Sequence, residues 1–170
     1  MGRLKCSTSL WSADLSNLAT EIGRVEPFSD RFHLDVSDGQ MVDTLLFFPD
    51  LVAAMRCHTE RPFEIHLIAS GPDKWVKPFV EAGGDIFIVY PGDHTCETLE
   101  LIRSLDKKVG VSLGLTHDLS FLNDLWEIID VVTIVGTDIG IKGADMDKSV
   151  PARISHCRHI VDERGFVANA

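Results

Sequence analysis

The chain has 170 residues, of which 45% are hydrophobic and 25% are charged, and its formal net charge is −10 at pH 7. These values are typical of one globular domain with a sizeable core, not of a disordered chain. The negative charge argues against general binding to nucleic acid or to an anionic membrane, because both need a basic surface. No apolar run is long enough to span a bilayer, and residues 1–5 lack a signal-peptide core, so we expect a cytoplasmic protein.

Short β-branched runs alternate with longer segments of helical period, which predicts βα units on a parallel sheet. In chain order, we predict strands at residues 4–9, 31–36, 63–68, 85–89, 108–113 and 130–135. The predicted helices lie at residues 14–25, 48–56, 73–82, 95–104, 119–125 and 148–164. No linker or low-complexity segment divides the chain, so we predict a single domain over residues 1–170.

Polar residues and glycines mark several of the predicted helix ends. Ser12 to Asp14 offers N-cap side chains for the first helix, and Gly71-Pro72-Asp73 separates a strand from the next helix. Gly83-Gly84 and Gly165 follow the predicted ends of two other helices, where glycine is the preferred residue.

The spacing of the predicted strands suits both a (β/α) barrel and an open doubly wound sheet. No Gly-x-Gly-x-x-Gly follows the first strand, so a dinucleotide-binding sheet lacks its best signature. Polar residues gather instead at the predicted strand ends, at Ser9, at His33 with Asp35, at His66 and in residues 140–143. This distribution favours a barrel whose active face is the carboxyl-terminal rim.

The most informative segments are Phe32 to Gly39 and Glu64 to Leu67, which each contain a histidine within an apolar, β-prone run. Asp35 follows His33 by two residues, so strand alternation points both side chains to the same face. Two imidazoles and a carboxylate that converge, with His66 as the third member, form a metal site with open coordination positions. We therefore predict a divalent metal ion on His33, Asp35 and His66, and the donor set suits zinc, iron, manganese or cobalt.

Several motifs carry a resemblance to a known family. They are Thr8-Ser9-Leu10-Trp11-Ser12-Ala13-Asp14-Leu15, His33-Leu34-Asp35-Val36-Ser37-Asp38-Gly39, His66-Leu67, Glu81-Ala82-Gly83-Gly84-Asp85, Lys108-Val109-Gly110-Val111-Ser112-Leu113 and Gly140-Ile141-Lys142-Gly143. In this order, and over almost the whole chain, they resemble the motifs of ribulose-phosphate 3-epimerases. The resemblance implies a (β/α)8 barrel enzyme that interconverts ketopentose 5-phosphates at C3 with a divalent metal.

The resemblance also implies roles for individual residues. His33, Asp35 and His66 match metal ligands of the family, and Asp35 matches its proton acceptor as well. Ser9 and His66 match substrate contacts, and Gly140, Ile141, Lys142 and Gly143 fall on the turn that wraps the substrate phosphate. Removal of a proton beside a carbonyl gives a negatively charged enediolate, which a divalent ion stabilises while a carboxylate takes the proton.

The family's second acid/base is an aspartate on a seventh strand, which also ligates the metal. This chain reaches Gly165 to Ala170 where that strand would begin, so we expect about six of the eight βα units, without strands seven and eight. The first and sixth strands would then have unpaired edges, and we expect a homo-oligomer to cover them. Little net epimerisation is expected of the chain alone unless a neighbouring subunit supplies the second acid.

Smaller departures from the family pattern lie near the predicted site. Lys142 stands where a glycine next to Gly143 is usual, Ile68 replaces a methionine and Tyr90 replaces a histidine. Gly114-Leu115 replaces an Asn-Pro after the fifth strand, which suggests a preference for a different sugar phosphate. Lys142 either contacts an anionic group of the substrate or is an exposed turn residue without a role.

Two alternatives remain. The first is a non-catalytic protein that binds a metal or a sugar phosphate, or a truncated form of a longer protein. The second is a barrel enzyme of the orotidine-phosphate decarboxylase type, but residues 33–38 lack the lysine of its Asp-x-Lys-x-x-Asp pattern. The remaining histidines without a partner pattern are expected at the surface: His94, His117, His156 and His159.

Overall fold

The computed structural model of the chain describes residues 3–165. Six strands, β1 (Ser7–Ser9), β2 (Arg31–Ser37), β3 (Phe63–Ile68), β4 (Ile86–Val89), β5 (Lys108–Leu113) and β6 (Val131–Ile134), form one sheet. The helices are α1 (Leu18–Val25), α2 (Pro49–Arg56), α3 (Asp73–Glu81), α4 (Thr95–Ser104) and α5 (Val150–Glu163). Short 3₁₀ helices cover Glu26–Phe28 and Leu119–Leu122.

The order of the strands in the sheet is the same as their order in the chain, and all five neighbouring pairs are parallel. Each strand is linked to the next through a helical segment, as a parallel sheet requires. The sheet curls into part of a barrel, which confirms the predicted α/β barrel class over six βα units. Within residues 3–165, β1 and β6 each pair with one strand, and no helix is long and apolar enough to cross a membrane.

Strand alternation gives the sheet two different faces. The helix-covered face is apolar and buried, and it provides much of the core through Phe32, Leu34, Val36, Phe63, Ile65, Leu67, Phe87, Val89, Val109, Val111 and Leu113. The inner face carries polar residues at the alternate positions of β1 and β2 and at Glu64 and His66 of β3. The apolar face therefore holds the sheet against its helices while the inner face is left for a polar site.

Three predicted element boundaries were wrong. Helix α1 begins at Leu18, because Asp14 does not cap it and instead accepts hydrogen bonds from the backbone N–H and the hydroxyl of Ser16. The predicted helix at 119–125 is a 3₁₀ helix over Leu119–Leu122, started by the Asp118 carboxylate, which accepts from the N–H of Ser120 at 2.7 Å. Strand β1 is shorter than predicted because only Ser7–Ser9 pairs with β2.

The predicted glycine ends of two helices are confirmed. Gly83 directly follows the C-cap of α3 with a φ of +98°, and Gly165 follows that of α5 with a φ of +71°. Both values lie in the left-handed region, which glycine adopts without a steric penalty.

Gly110 of β5 lies in a crowded part of the sheet. A Cβ atom at this position would lie 2.8 Å from the carbonyl oxygen of Val131 and 3.0 Å from its Cβ on β6. We expect Gly110→Ala to lower the free energy of unfolding by about 1–3 kcal/mol, because the backbone of β6 must shift. Urea denaturation measures this change, and Gly92→Ala is the control, since a Cβ there meets nothing within 4 Å. Equal stability of the two variants would contradict the crowding of β5 against β6.

Candidate metal centre

His33 and Asp35 lie on β2, and His66 lies on the neighbouring strand β3. The parallel register places Asp35 opposite His66 and His33 opposite Glu64. Because alternate residues of a strand share a face, these side chains meet on the inner face of the sheet. The structure thus brings together the three residues that the sequence indicated as metal ligands.

One atom from each of the three residues points to a common position. His33 Nε2 lies 3.1 Å from Asp35 Oδ1 and 3.2 Å from His66 Nδ1, and the latter two atoms are 3.2 Å apart. Ligand atoms that bind one ion at about 2.0–2.2 Å are separated from each other by about 3 Å, so the spacing fits a bound divalent ion. No other group of three or more His, Cys, Asp or Glu side chains with such spacing occurs in residues 3–165.

The two oxygens of Asp35 have different surroundings. Oδ1 faces both imidazoles, whereas Oδ2 accepts a hydrogen bond from the Ser9 hydroxyl at 3.1 Å. Ser9, which the resemblance indicates as a substrate contact, therefore lies against the carboxylate. One oxygen of Asp35 is placed to ligate an ion while the other remains available to accept a proton.

Glu64 also lies on the inner face, next to His33. Its Oε1 is 2.7 Å from His33 Nδ1 and accepts from the Ser7 hydroxyl at 3.1 Å, and its Oε2 lies 2.9 Å from Arg31 Nε. Sequence reasoning did not assign Glu64 to the site. A signal was present, because Glu64 precedes His66 by two residues and so shares its face of β3.

The electrostatics of the cluster are determined by two buried carboxylates next to two imidazoles. Burial opposes the charge on Asp35, but His33 and His66 hold the pKa of its carboxyl well below the usual range. Burial also favours neutral His33, yet Asp35 and Glu64 raise its pKa to about 9, while burial lowers the pKa of His66. The pKa of Glu64 is likewise lowered, against the effect of burial, by His33 and Arg31. A metal ion binds a carboxylate and a neutral imidazole, so an ion at this position must displace the proton that Asp35 and Glu64 stabilise on His33.

Tyr90 follows β4 and packs against the cluster. Its ring stacks on that of His66, with centroids 5.0 Å apart and an interplanar angle of 30°, and burial raises its pKa to about 12. His117 lies next, with its ring centroid 6.3 Å from that of Tyr90. The surface prediction for His117 was wrong, because its Nδ1 accepts from the N–H of Gly114 and the side chain is half-buried. His94, His156 and His159 are exposed as expected.

The turn after β6 lies at the same carboxyl-terminal rim. Gly140 and Gly143 have φ values of +80° and +77°, and the site where a Cβ of Gly140 would lie is 3.0 Å from the Val42 side chain. Lys142 Nζ donates to the carbonyl oxygen of Trp11 at 3.0 Å, and Ile141 is exposed. The turn therefore contacts the loops that follow β1 and β2.

Comparison with known proteins identifies the family. The model of the ribulose-phosphate 3 epimerase family matches residues 5–169. The chain belongs to this family. The ribulose-phosphate 3-epimerase of Synechocystis sp. is 35% identical over 163 residues, which cover 93% of this chain and 71% of that protein. The ribulose-phosphate 3-epimerase of Bacillus subtilis is 31% identical over 165 residues, or 95% of this chain and 76% of that protein.

Solved structures support the fold of this epimerase family member. A mutant tryptophan synthase alpha-subunit from Pyrococcus furiosus superposes with a TM-score of 0.64 over 91% of this chain and 72% of that chain. A second mutant of the same subunit gives a TM-score of 0.62 over the same shares. Their identities to this chain are 13% and 14%, so the likeness concerns the barrel fold alone.

The family assignment confirms the resemblance that the motifs carried, including the class of enzyme, an epimerase. Two departures from the ribulose-phosphate 3-epimerase pattern, Ile68 and Tyr90, lie beside the histidine cluster. Ile68 is buried two residues after His66 on β3, and Tyr90 stacks on the ring of His66. Tyr90 therefore packs directly on one of the proposed metal ligands.

Proposed function

We propose that this chain binds a divalent metal ion through His33, Asp35 and His66 and abstracts the C3 proton of a ketopentose 5-phosphate. The proposed overall reaction is the interconversion of ribulose 5-phosphate and xylulose 5-phosphate. The observation that supports it best is the triangle of donor atoms, 3.1 to 3.2 Å on each side, in a chain of the epimerase family. Zinc, iron, manganese and cobalt all suit two imidazoles and a carboxylate. When bound, such an ion stabilises negative charge on the substrate oxygens.

Asp35 is the proposed base. The C3–H bond breaks, the proton passes to the Asp35 carboxylate, and the electron pair forms the C2=C3 double bond of an enediolate. Negative charge then rests on the former carbonyl oxygen. Ser9 and the two imidazoles hold Asp35 in a fixed orientation through both of its oxygens, which favours proton transfer along one direction.

We propose that Gly140, Ile141, Lys142 and Gly143 bind the phosphate group of the substrate, with Ser9 and His66 contacting the sugar. The position of the turn at the carboxyl-terminal rim supports this assignment, because barrel enzymes bind their substrates there. Lys142 supports it too, since an ammonium group has three N–H donors and the Trp11 carbonyl occupies one.

The whole of residues 1–170 is proposed to form one barrel domain that acts as a homo-oligomer. Within residues 3–165, the outer edges of β1 and β6 have no strand partner. Unpaired edges of this kind favour association with another chain. Inversion at C3 also needs an acid on the face opposite the base, and Asp35 is the one carboxylate in the metal-binding group of the described residues. We therefore propose that the isolated chain exchanges the C3 proton faster than it epimerises.

Solvent exchange tests this function directly. The 170-residue chain, loaded with manganese, zinc, cobalt or ferrous iron, is incubated with ribulose 5-phosphate in D₂O, and the C3 proton signal is followed by NMR. We expect loss of the C3 signal with the metal-loaded chain, little xylulose 5-phosphate, and no exchange after treatment with a chelator. Unphosphorylated ribulose should exchange far more slowly. Metal binding by calorimetry without any C3 exchange would contradict the proposal and favour a non-catalytic binding protein.

A further inference from the structure

Glu64 is a buried carboxylate whose contacts lie on the side of His33 that faces away from Asp35 and His66. The side chain is 4% exposed, and its Oε1 lies 2.7 Å from His33 Nδ1. The other ring nitrogen, His33 Nε2, is the atom that approaches Asp35 and His66. The imidazole ring therefore stands between Glu64 and the proposed ion position.

We infer that Glu64 is a positioning residue, which accepts the Nδ1–H of His33 and thereby directs the lone pair of Nε2 at the ion. This inference rests on the proposed metal centre. A neutral imidazole carries one N–H, so the nitrogen that donates a hydrogen bond determines which nitrogen remains free to ligate. Partners of this kind fix both the tautomer and the ring orientation of a ligating histidine.

Neighbouring side chains hold the carboxylate of Glu64 in place. Ser7 donates to Oε1 at 3.1 Å, and the guanidinium of Arg31 lies 2.9 Å from Oε2. Oε1 of Glu64 therefore takes part in hydrogen bonds, and Oε2 forms an ion pair with Arg31. These contacts come from β1 and β2, the two strands that precede β3 in the sheet, so sheet formation itself orients the carboxylate.

His66 is oriented in a different way. Its Nε2 is buried and has no hydrogen-bond partner among residues 3–165, and its ring is instead held by stacking on Tyr90. The two proposed imidazole ligands thus differ, because one is held by a charged hydrogen-bond acceptor and the other by packing. Removal of the Glu64 carboxylate should consequently affect His33 and leave the orientation of His66 unchanged.

Two substitutions separate the hydrogen bond from the charge. Glu64→Gln keeps an acceptor oxygen and loses the charge, whereas Glu64→Ala loses both. We expect Glu64→Ala to weaken zinc binding by about 10–100-fold and Glu64→Gln by less than about tenfold, measured by competition with a chromophoric chelator. Thr98→Val is the control, because it removes a different buried side-chain hydrogen bond, from the Thr98 hydroxyl to the carbonyl oxygen of His94 before α4, without touching the site. Unchanged zinc affinity in a folded Glu64→Ala chain would overturn the inference.

NMR of ¹⁵N-labelled histidine provides a readout that loss of stability would not produce. In the zinc-loaded unmodified chain, we expect His33 to bind through Nε2 and to keep a slowly exchanging proton on Nδ1. This measurement uses the unmodified chain, so it tests the role of Glu64 even where Glu64→Ala fails to fold. Zinc bound through Nδ1 of His33 would refute that role. Zinc bound through His33 Nε2 without C3 exchange would leave the inference intact and contradict the proposed function.

A chain that binds no zinc would contradict the proposed metal centre, and the role of Glu64 can then be read without the metal. At alkaline pH, where the imidazole is neutral, we expect His33 to be the Nδ1–H tautomer in the unmodified chain. In Glu64→Ala we expect a mixture of tautomers. The same tautomer ratio in both chains would show that Glu64 does not position His33.

Discussion

Replacing Asp35 by asparagine is expected to lower the rate of C3 proton exchange in ribulose 5-phosphate by about 10²–10⁴-fold, the usual contribution of a general base. The amide of asparagine keeps the shape of the side chain but cannot accept the proton. NMR in D₂O with the metal-loaded chain measures the exchange rate. The amide oxygen is also a weaker zinc ligand than Oδ1 of the carboxylate. Zinc binding is therefore measured on the same variant, so that loss of the base is distinguished from loss of the metal.

Ser9→Ala is the matched control for the Asp35 variant. It removes the hydrogen bond that reaches Oδ2 of Asp35 at 3.1 Å and leaves the carboxylate itself in place. A hydrogen bond to a charged group contributes about 1.5–3 kcal/mol. We therefore expect Ser9→Ala to lower the rate of C3 proton exchange by no more than about 150-fold. Exchange by the Asp35→Asn chain within tenfold of the unmodified rate would show that another group is the base.

Strand alternation is the part of the site that could be predicted from local sequence. His33 and Asp35 are two residues apart in a β-prone run, and that spacing alone places them on one face. Their approach to His66 needed the parallel register of β2 with β3, which the barrel resemblance implied. Alternation also places Glu64 on the face of His66, but its contact with His33 depends on the register of β2 with β3, which the local sequence does not give.

Other features depend on tertiary structure and could not be read from the sequence. The stacking of Tyr90 on His66 joins two strands that lie next to each other in the sheet, and the approach of His117 to Tyr90 comes from the turn after β5. The start of α1 was misplaced because Asp14 has two local options, a helix cap or a turn with Ser16, and the turn is formed. Such choices between neighbouring hydrogen bonds are decided by the path of the whole loop.

Removal of His66 is the second change with a large expected effect. His66→Ala leaves two of the three proposed ligands, and we expect zinc affinity to fall by more than about 100-fold, which is the upper end for partners that only orient a ligand. C3 exchange should be lost together with the metal. His159→Ala is the control, because this histidine of α5 is 68% exposed on its side chain and lies outside the metal-binding group.

His66 is a better position for this test than His33. Loss of the His33 imidazole would leave the buried carboxylate of Glu64 with one fewer partner, so a fall in affinity there would mix ligand loss with destabilisation. His66 contacts one buried carboxylate, Asp35, whereas His33 contacts both Asp35 and Glu64, so His66→Ala disturbs fewer buried charges. Loss of zinc binding from a folded His66→Ala chain that still exchanges the C3 proton would separate the metal centre from the chemistry. In that case Asp35 would act as a base without the charge stabilisation that the proposed mechanism requires.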